Sequence, residues 1–301
     1  MTPERKQFFT GIALAVLATM VWSGNFIVAR GVHNTIPPVS LAFFRWATAT
    51  LFMLPLAYSI FRKHWPLVKE YRWYFFWTAL SGITLFNTFV YVAGHYTDAV
   101  NLALIGTTSS PVMALVLAAV FLKERIGWLR IAGMLICIAG ICYLLSKGSW
   151  NRLINLHFSA GDWWILVAAL CFAVYNTLAK KKPKSVPPVF FLFVIFAGGT
   201  LMIVPFYVWE ATTAQPVAWN MNLVLIIIYL GLGTSVIAFL CWNAAIARLG
   251  AARTALFGNL IPVFSTMEAV WILKEEVTII HLVSGLMVIG GLVIANIQSA
   301  R

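Results

Sequence analysis

Ten stretches of this chain stay apolar for long enough to cross a lipid bilayer, and that leaves the backbone almost no choice of structure. A helix rises ~1.5 Å per residue, so about 20 apolar residues cross a hydrocarbon core ~30 Å thick. Within that core every N–H and C=O must find its partner inside the protein, which restricts spans to helices or closed barrels. Long continuous runs, rather than short alternating ones, select helices. They lie near 9–31, 38–61, 73–93, 98–121, 127–146, 162–180, 187–209, 221–246, 251–273 and 277–298, and predict an all-α membrane protein with ten transmembrane helices. The composition is 61% apolar and 10% charged with a mean hydropathy of +0.89. Soluble domains carry about 25% charged residues.

The net charge of +12 does not point to nucleic acid, because the basic residues sit in short clusters between the apolar runs. With the N-terminus inside, sixteen Lys and Arg residues fall on the inner side and four (Arg30, Lys147, Arg152, Lys274) on the outer. That asymmetry predicts both termini in the cytoplasm. The run "KKKPK" at Lys180–Lys184 reads as a topology anchor, with lipid or partner binding as the other reading. The first apolar run, behind a basic start, continues to Val28; this is too long for a signal peptide, so it is expected to be the first span. Cys137, Cys142, Cys171 and Cys241 lie within apolar segments without metal-type spacing and are expected to be free thiols. No cofactor or metal is implied.

The prolines reveal an internal repeat. "PVMALVLAAVFLKE" (111–124) returns as "PVFSTMEAVWILKE" (262–275), 151 positions later. "IPPVSLAFF" from Ile36 returns as "VPPVFFLFV" from Val186, Pro55 as Pro205, and "LALIG" ending at Gly106 as "TALFG" ending at Gly258, at offsets of 150 to 152. Eight of the twelve prolines form four pairs at nearly one spacing, which chance matching of apolar letters does not produce. The chain divides into a five-helix unit over 1–146, an external linker over 147–161 and a second five-helix unit over 162–301. Because five is odd, the second unit enters the membrane from the opposite side. Two inverted repeats around a central cavity are the plan of carriers that alternate between inward- and outward-facing states.

The segments "FLKERIGWLRIAGMLICIAGI" (121–141) and "ILKEEVTIIHLVSGLMVIGGL" (272–292), with "WSGNFIVAR" (22–30) and the arginine of "LAFFRWATA" (Arg45), resemble the drug/metabolite transporter superfamily in its EamA-type two-domain form. Within that group the chain is most similar to bacterial aromatic amino-acid exporters of the YddG type. The resemblance covers nearly the whole chain. It implies residence in the bacterial inner (plasma) membrane and export as the direction of transport.

Several residues stand out against the apolar background. Pro111 and Pro262 each remove an N–H and crowd the carbonyl four residues earlier, at Thr107 and Gly258, giving either a hinge per repeat or a static kink. Trp22 and Asn25, Asn87 and Tyr91, and Phe239, Trp242 and Asn243 share helix faces, and Tyr175, Asn176 and Asn101 complete a set of aromatics and neutral amides. Such a set suits a cavity that stacks a flat or greasy side chain and bonds a small polar head; interhelical hydrogen bonding is the alternative for any one of them. Arg45 and Glu268 are charges inside spans, and neither has a charged counterpart in the other repeat: the equivalent positions are Ile195 and Leu117. They sit roughly 6 and 9 Å from the centres of their helices toward the outside. A salt bridge between them forming an outer gate is one expectation, and proton coupling through Glu268 another, with snorkelling of Glu268 as the bland alternative.

The expected partners are therefore a small-molecule substrate, the lipid bilayer and, on one reading, protons. The favoured function is an alternating-access exporter of neutral or zwitterionic metabolites, above all amino acids with aromatic or large apolar side chains. A carrier of drug-like compounds or nucleotide sugars on the same fold is the alternative, although phosphorylated substrates call for several buried Arg or Lys and only Arg45 is present. No HExxH, GxSxG or nucleotide-binding loop occurs, which argues against an intramembrane enzyme or a primary pump. A channel fits the repeat less well than a carrier.

Overall fold

The apolar runs form helices, as hydrocarbon demands. A computed structural model of the chain describes residues 3–32, 35–96, 99–155, 159–273 and 278–297, with the side chains of 26–31, 99–104, 107, 266 and 269–273 outside the description. In chain order the helices are α1 (Pro3–Gly31), α2 (Pro38–His64), α3 (Arg72–Tyr96), α4 (Ala99–Phe121), α5 (Trp128–Leu145), α6 (Ala160–Lys180), α7 (Pro188–Thr213), α8 (Met221–Leu249), α9 (251–273) and α10 (Ile279–Asn296). Among the described residues eight helices are long and apolar enough to cross a membrane, and no strand occurs. The other two numbered helices are α4 and α9, and the short helices Pro66–Glu70 and Trp150–Ile154 lie before α3 and α6. α4 is one continuous helix, whereas α9 is built of Ala251–Leu256, a 3₁₀ turn at Phe257–Leu260 and Ile261–Leu273.

The paired prolines start paired helices. Pro37 (φ −61°, ψ 152°) precedes α2 and Pro187 (φ −63°, ψ 144°) precedes α7, each followed by a proline at the first helical position, where the fixed φ suits a helix and no N–H is missed. α2 and α7 then lie against each other. Ser40 meets Glu210, Phe43 stacks on Tyr207 at 4.3 Å, Thr50 meets Thr200 at 3.3 Å and Phe61 meets Phe190 at 5.8 Å. One number falls as the other rises, so the helices run antiparallel. α5 and α10 do the same: Gly133 faces Gly291 and Ala295, Gly140 faces Ser284, and Cys137 Sγ donates to the Val288 carbonyl at 3.3 Å. Thr50 and Thr200, and Cys137 and Val288, stand 150 and 151 residues apart. The proline offset thus reappears as contacts between equivalent residues.

The remaining contacts follow the same exchange. α3 and α4 pack on α6, as α8 and α9 pack on α1. Both α3 and α8 widen into a π-helical stretch at the corresponding place, Leu80–Leu85 and Tyr229–Ile237. Where two such helices meet closely, glycine is what allows it. A Cβ on Gly291 would stand 2.6 Å from the Gly133 carbonyl oxygen and 2.9 Å from the Cys137 nitrogen, both rigid backbone.

The Leu-Lys-Glu phrase also acquires a role. After α4, Glu124 reaches across to the start of α9, where its Oε1 accepts the Ala251 N–H at 3.2 Å, and Arg130 stands 3.9 Å from its other oxygen. Gly250, at φ +90°, makes the turn that presents this helix start to the carboxylate. Glu275, the equivalent residue, lies outside the described residues. Lys180, from the basic run, caps α8 by donating to the Ile246 carbonyl at 3.3 Å. The close approach of α5 and α10 predicts that Gly291→Ala lowers the thermal unfolding temperature by several degrees, corresponding to about 1–3 kcal/mol. Gly290→Ala, whose Cβ would meet nothing within 4 Å, should leave it unchanged or raise it. Thermal unfolding of the two variants in one detergent checks this.

Candidate functional site

A cavity of about 770 Å³, counting its open mouth, lies where α1, α2, α3, α4, α6, α8 and α9 meet. Its wall is largely apolar and includes five aromatic rings. Trp22 is set edge-on to Phe172 (5.8 Å) and Phe239 (5.5 Å) and tilted against Trp242 (4.9 Å), while Phe86 stacks on Phe172 at 4.5 Å. The polar groups of the lining are few: Asn25, Arg45, Asn87 and Ser110. This is a greasy slot with a small polar end.

The π stretch of α8 positions that polar end. A π turn breaks the regular i→i−4 ladder and leaves backbone carbonyls for other donors. The Thr234 carbonyl accepts the Trp22 indole N–H at 2.7 Å and Arg45 Nη2 at 3.4 Å, and Ser235 Oγ accepts Arg45 Nε at 2.8 Å. Arg45 Nη1 donates to Asn25 Oδ1 at 3.2 Å and to the Tyr91 hydroxyl at 2.8 Å, and the guanidinium lies 5.0 Å from the centre of the Trp46 ring. In the other half the π stretch of α3 brings Gly82 against the Tyr175 ring, and its carbonyl accepts Asn87 Nδ2 at 3.5 Å.

The residues singled out in the sequence separate into three groups. Trp22, Asn25, Arg45, Asn87, Phe239, Trp242 and Pro111 line the cavity. Tyr91, Tyr175, Asn176 and Asn243 stand behind its wall: Tyr91 holds Arg45, Asn176 Oδ1 accepts the Trp242 indole N–H at 2.7 Å, and Asn243 Nδ2 donates to the Tyr175 hydroxyl and to the Phe239 carbonyl. Their polar groups fix the orientation of the rings in front. The side chain of Asn101 lies outside the described residues.

The two charges are not joined. Among the described residues no carboxylate comes within 4.0 Å of Arg45. Glu268 instead accepts the Ser23 hydroxyl proton, and Ser265 Oγ donates to the Ser23 carbonyl at 3.1 Å. Matching depth placed both charges in one layer, but Ser235, Asn25, Tyr91 and the Thr234 carbonyl hold the guanidinium while Glu268 turns to Ser23. The prolines differ too. The helix carrying Pro262 gives way to a 3₁₀ turn immediately before it, whereas Pro111 sits in a helix without interruption. Gly258 and Ser110, beside these prolines, line the cavity.

Phe86, Phe172, Thr234 and Ser235 escaped the sequence reading. Phe is one of 22 in the chain and carries no signal of its own, but the small-residue run "GLGTS" at 231–235 does mark a place of close approach. Glu210 was also missed. Its carboxylate, 8% exposed, accepts the Val39 and Ser40 N–H groups at 3.0 and 2.6 Å and caps the start of α2 from α7.

Comparison with known proteins agrees with this architecture. An uncharacterized transporter of Archaeoglobus fulgidus is 27% identical over 92% of this chain and 94% of its own length. A protein of Escherichia coli named "Probable amino-acid metabolite efflux pump" is 26% identical over 93% of both chains. A "Probable terminal-alkyne amino-acid exporter" of Streptantibioticus cattleyicolor is 30% identical over 62% of this chain and 61% of its own. A solved crystal structure superposes with a TM-score of 0.74 at 18% identity, over 97% of this chain and 96% of that one, which shows the fold. The model of the EamA-like transporter family matches twice, over residues 9–146 and 159–297. A multi-pass membrane transporter is what the apolar helices and these relatives describe, and the chain is a member of the EamA-like transporter family.

Proposed function

We propose that this chain is an alternating-access secondary transporter with ten membrane crossings in two inverted five-helix halves, 1–146 and 162–301, and that it exports small neutral or zwitterionic metabolites. Amino acids with aromatic or large apolar side chains are the favoured cargo. The observation that carries the reading is the aromatic-walled cavity at the junction of helices from both halves, with its polar groups gathered at Asn25, Arg45, Asn87 and Ser110. Rings of Trp22, Phe172, Phe239 and Trp242 suit a flat or bulky apolar side chain, and the amides suit its polar head. The antiparallel seams α2–α7 and α5–α10 support the inversion, since repeats of like orientation would pair their equivalent helices in parallel. The direction of transport comes from the named relatives, two of which are called an efflux pump and an exporter. The positive-inside balance supports cytoplasmic termini in an inner membrane.

In this reading the Pro111 and Pro262 segments bend as the cavity is exposed to one side or the other, and Glu124 on the α9 start is a contact that opening toward the cytoplasm breaks. A second reading is favoured by one observation: Glu268 is held by a serine and, among the described residues, has no cation within 4.0 Å. A carboxylate so placed can exchange a proton during the cycle and couple export to the proton gradient.

Proteoliposomes loaded with phenylalanine should accumulate labelled phenylalanine by counterflow, and leucine should compete. Absence of exchange for every neutral amino acid, with exchange of an anionic phosphorylated metabolite, would overturn the cargo. Trp22→Ala and Trp242→Ala should each weaken phenylalanine binding about ten-fold or more while the protein stays folded. Equal binding by the variants would return both rings to packing. If Glu268 carries protons, Glu268→Gln should retain counterflow but lose the acceleration of uptake by an imposed pH gradient. An unchanged response to the gradient would remove Glu268 from coupling.

A further inference from the structure

Among the described residues, no carboxylate lies within 4.0 Å of the charge that Arg45 brings to the cavity. Arg45 is 1% exposed, and the partners that hold it are neutral: the Ser235 and Tyr91 hydroxyls, the Asn25 amide oxygen, the Thr234 carbonyl and the face of Trp46. Arginine carries its charge throughout the pH range in which proteins work. A buried charge left without an opposite charge is unfavourable by several kcal/mol unless hydrogen bonds or a bound ion compensate it. Here the hydrogen bonds are made with neutral groups, and Nη2 is loosely engaged, with its one acceptor at 3.4 Å. Arg45 is also among the residues that line the cavity.

The lining has no carboxylate to pair with a cation. None of its residues is Asp or Glu, and its neutral oxygens come from Asn25, already bonded to Arg45, and from Asn87 and Ser110. Glu268 is engaged with Ser23 and is not part of the lining. Building on the transport function proposed above, we infer that the cavity recognises its substrate as a carboxylate with an apolar or aromatic tail, paired to Arg45, and that an amino group beside the carboxylate is not required. An amino acid then binds through its carboxylate and its side chain. The deaminated acid with the same tail binds as well, and the corresponding amine, which places an ammonium against an unpaired guanidinium, does not. The substrate class is thereby widened from amino acids to aromatic and large apolar monocarboxylates.

The test compares three compounds with one ring: phenylalanine, 3-phenylpropionate and phenethylamine, titrated calorimetrically into the purified wild-type protein in detergent. 3-Phenylpropionate is expected to bind within a few-fold of phenylalanine, and phenethylamine at least about ten-fold more weakly, the size of one charge-assisted hydrogen bond. Phenethylamine matching phenylalanine would overturn the pairing with Arg45. 3-Phenylpropionate binding ten-fold or more weaker than phenylalanine would show that the ammonium is read, and would overturn the inference while leaving the aromatic cavity intact. If none of the three binds, the aromatic cavity itself is not a site for such cargo, and the inference falls with it. In Arg45→Gln the preference for the acid over the amine should collapse to within a few-fold; a preference that survives would also overturn the pairing.

Discussion

Two antiparallel seams hold this molecule together, and the rest of its geometry follows from them. α2 lies on α7 and α5 on α10, each helix against its own equivalent, with Thr50 beside Thr200 and Cys137 beside Val288. In hydrocarbon, apolar side chains gain little by leaving lipid for protein, so helix association depends on close fit and on polar contacts. The seams supply both. Gly133, Gly140 and Gly291 let the backbones of α5 and α10 approach, and Glu210 ties the end of α7 to the start of α2 by accepting two backbone N–H groups. With the seams fixed, the helices α1, α3, α4, α6, α8 and α9 are left to enclose the space between the halves, and the cavity forms there.

The same rule that forces helices, satisfaction of every backbone polar group, also builds the site. Each half leaves the α-helical ladder at the equivalent place, in the π stretches of α3 and α8, and released carbonyls there are taken up by side chains. Thr234 receives the Trp22 indole and one arm of Arg45. Near-symmetric backbone therefore carries asymmetric chemistry. The half with Gly82 receives an amide, and the half with Thr234 receives a charge, because Arg45 has Ile195 as its equivalent. In the proposed cycle the near-symmetric scaffold would expose the cavity to either side, and the asymmetric charge would give the ligand one orientation within it.

Much of the fold is legible in the residues. The length of the apolar runs sets the helices, and proline spacing sets the repeat, because prolines resist the chance matching that leucines invite. The site was legible only in part, for a physical reason. In a soluble helix the apolar stripe marks the buried face, but here the lipid face is as apolar as the core, so period alone does not separate Tyr175, buried behind the wall, from Phe239, which lines it. Depth could be counted along α2 and α9, yet depth says nothing of direction around the axis, and Arg45 and Glu268 turned to different partners. The π stretches leave no trace in hydropathy. Glycines at 82, 231 and 233 accompany them, each within contact distance of a neighbouring side chain, but glycine is common throughout this chain.

The most direct measurement is labelling of the cavity wall from each side of the membrane. In a background with Cys137, Cys142, Cys171 and Cys241 replaced, single cysteines at Ala169 and Ala255 report on the wall contributed by α6 and by the start of α9. A membrane-impermeant maleimide applied to right-side-out and inside-out vesicles, with and without phenylalanine, reads which face reaches each position. The expected result is reciprocal between the faces: at both positions phenylalanine raises labelling from one side of the membrane and lowers it from the other. Labelling from the two faces that rises and falls together on adding phenylalanine would contradict a chamber shared by two inverted halves and opened to one side at a time.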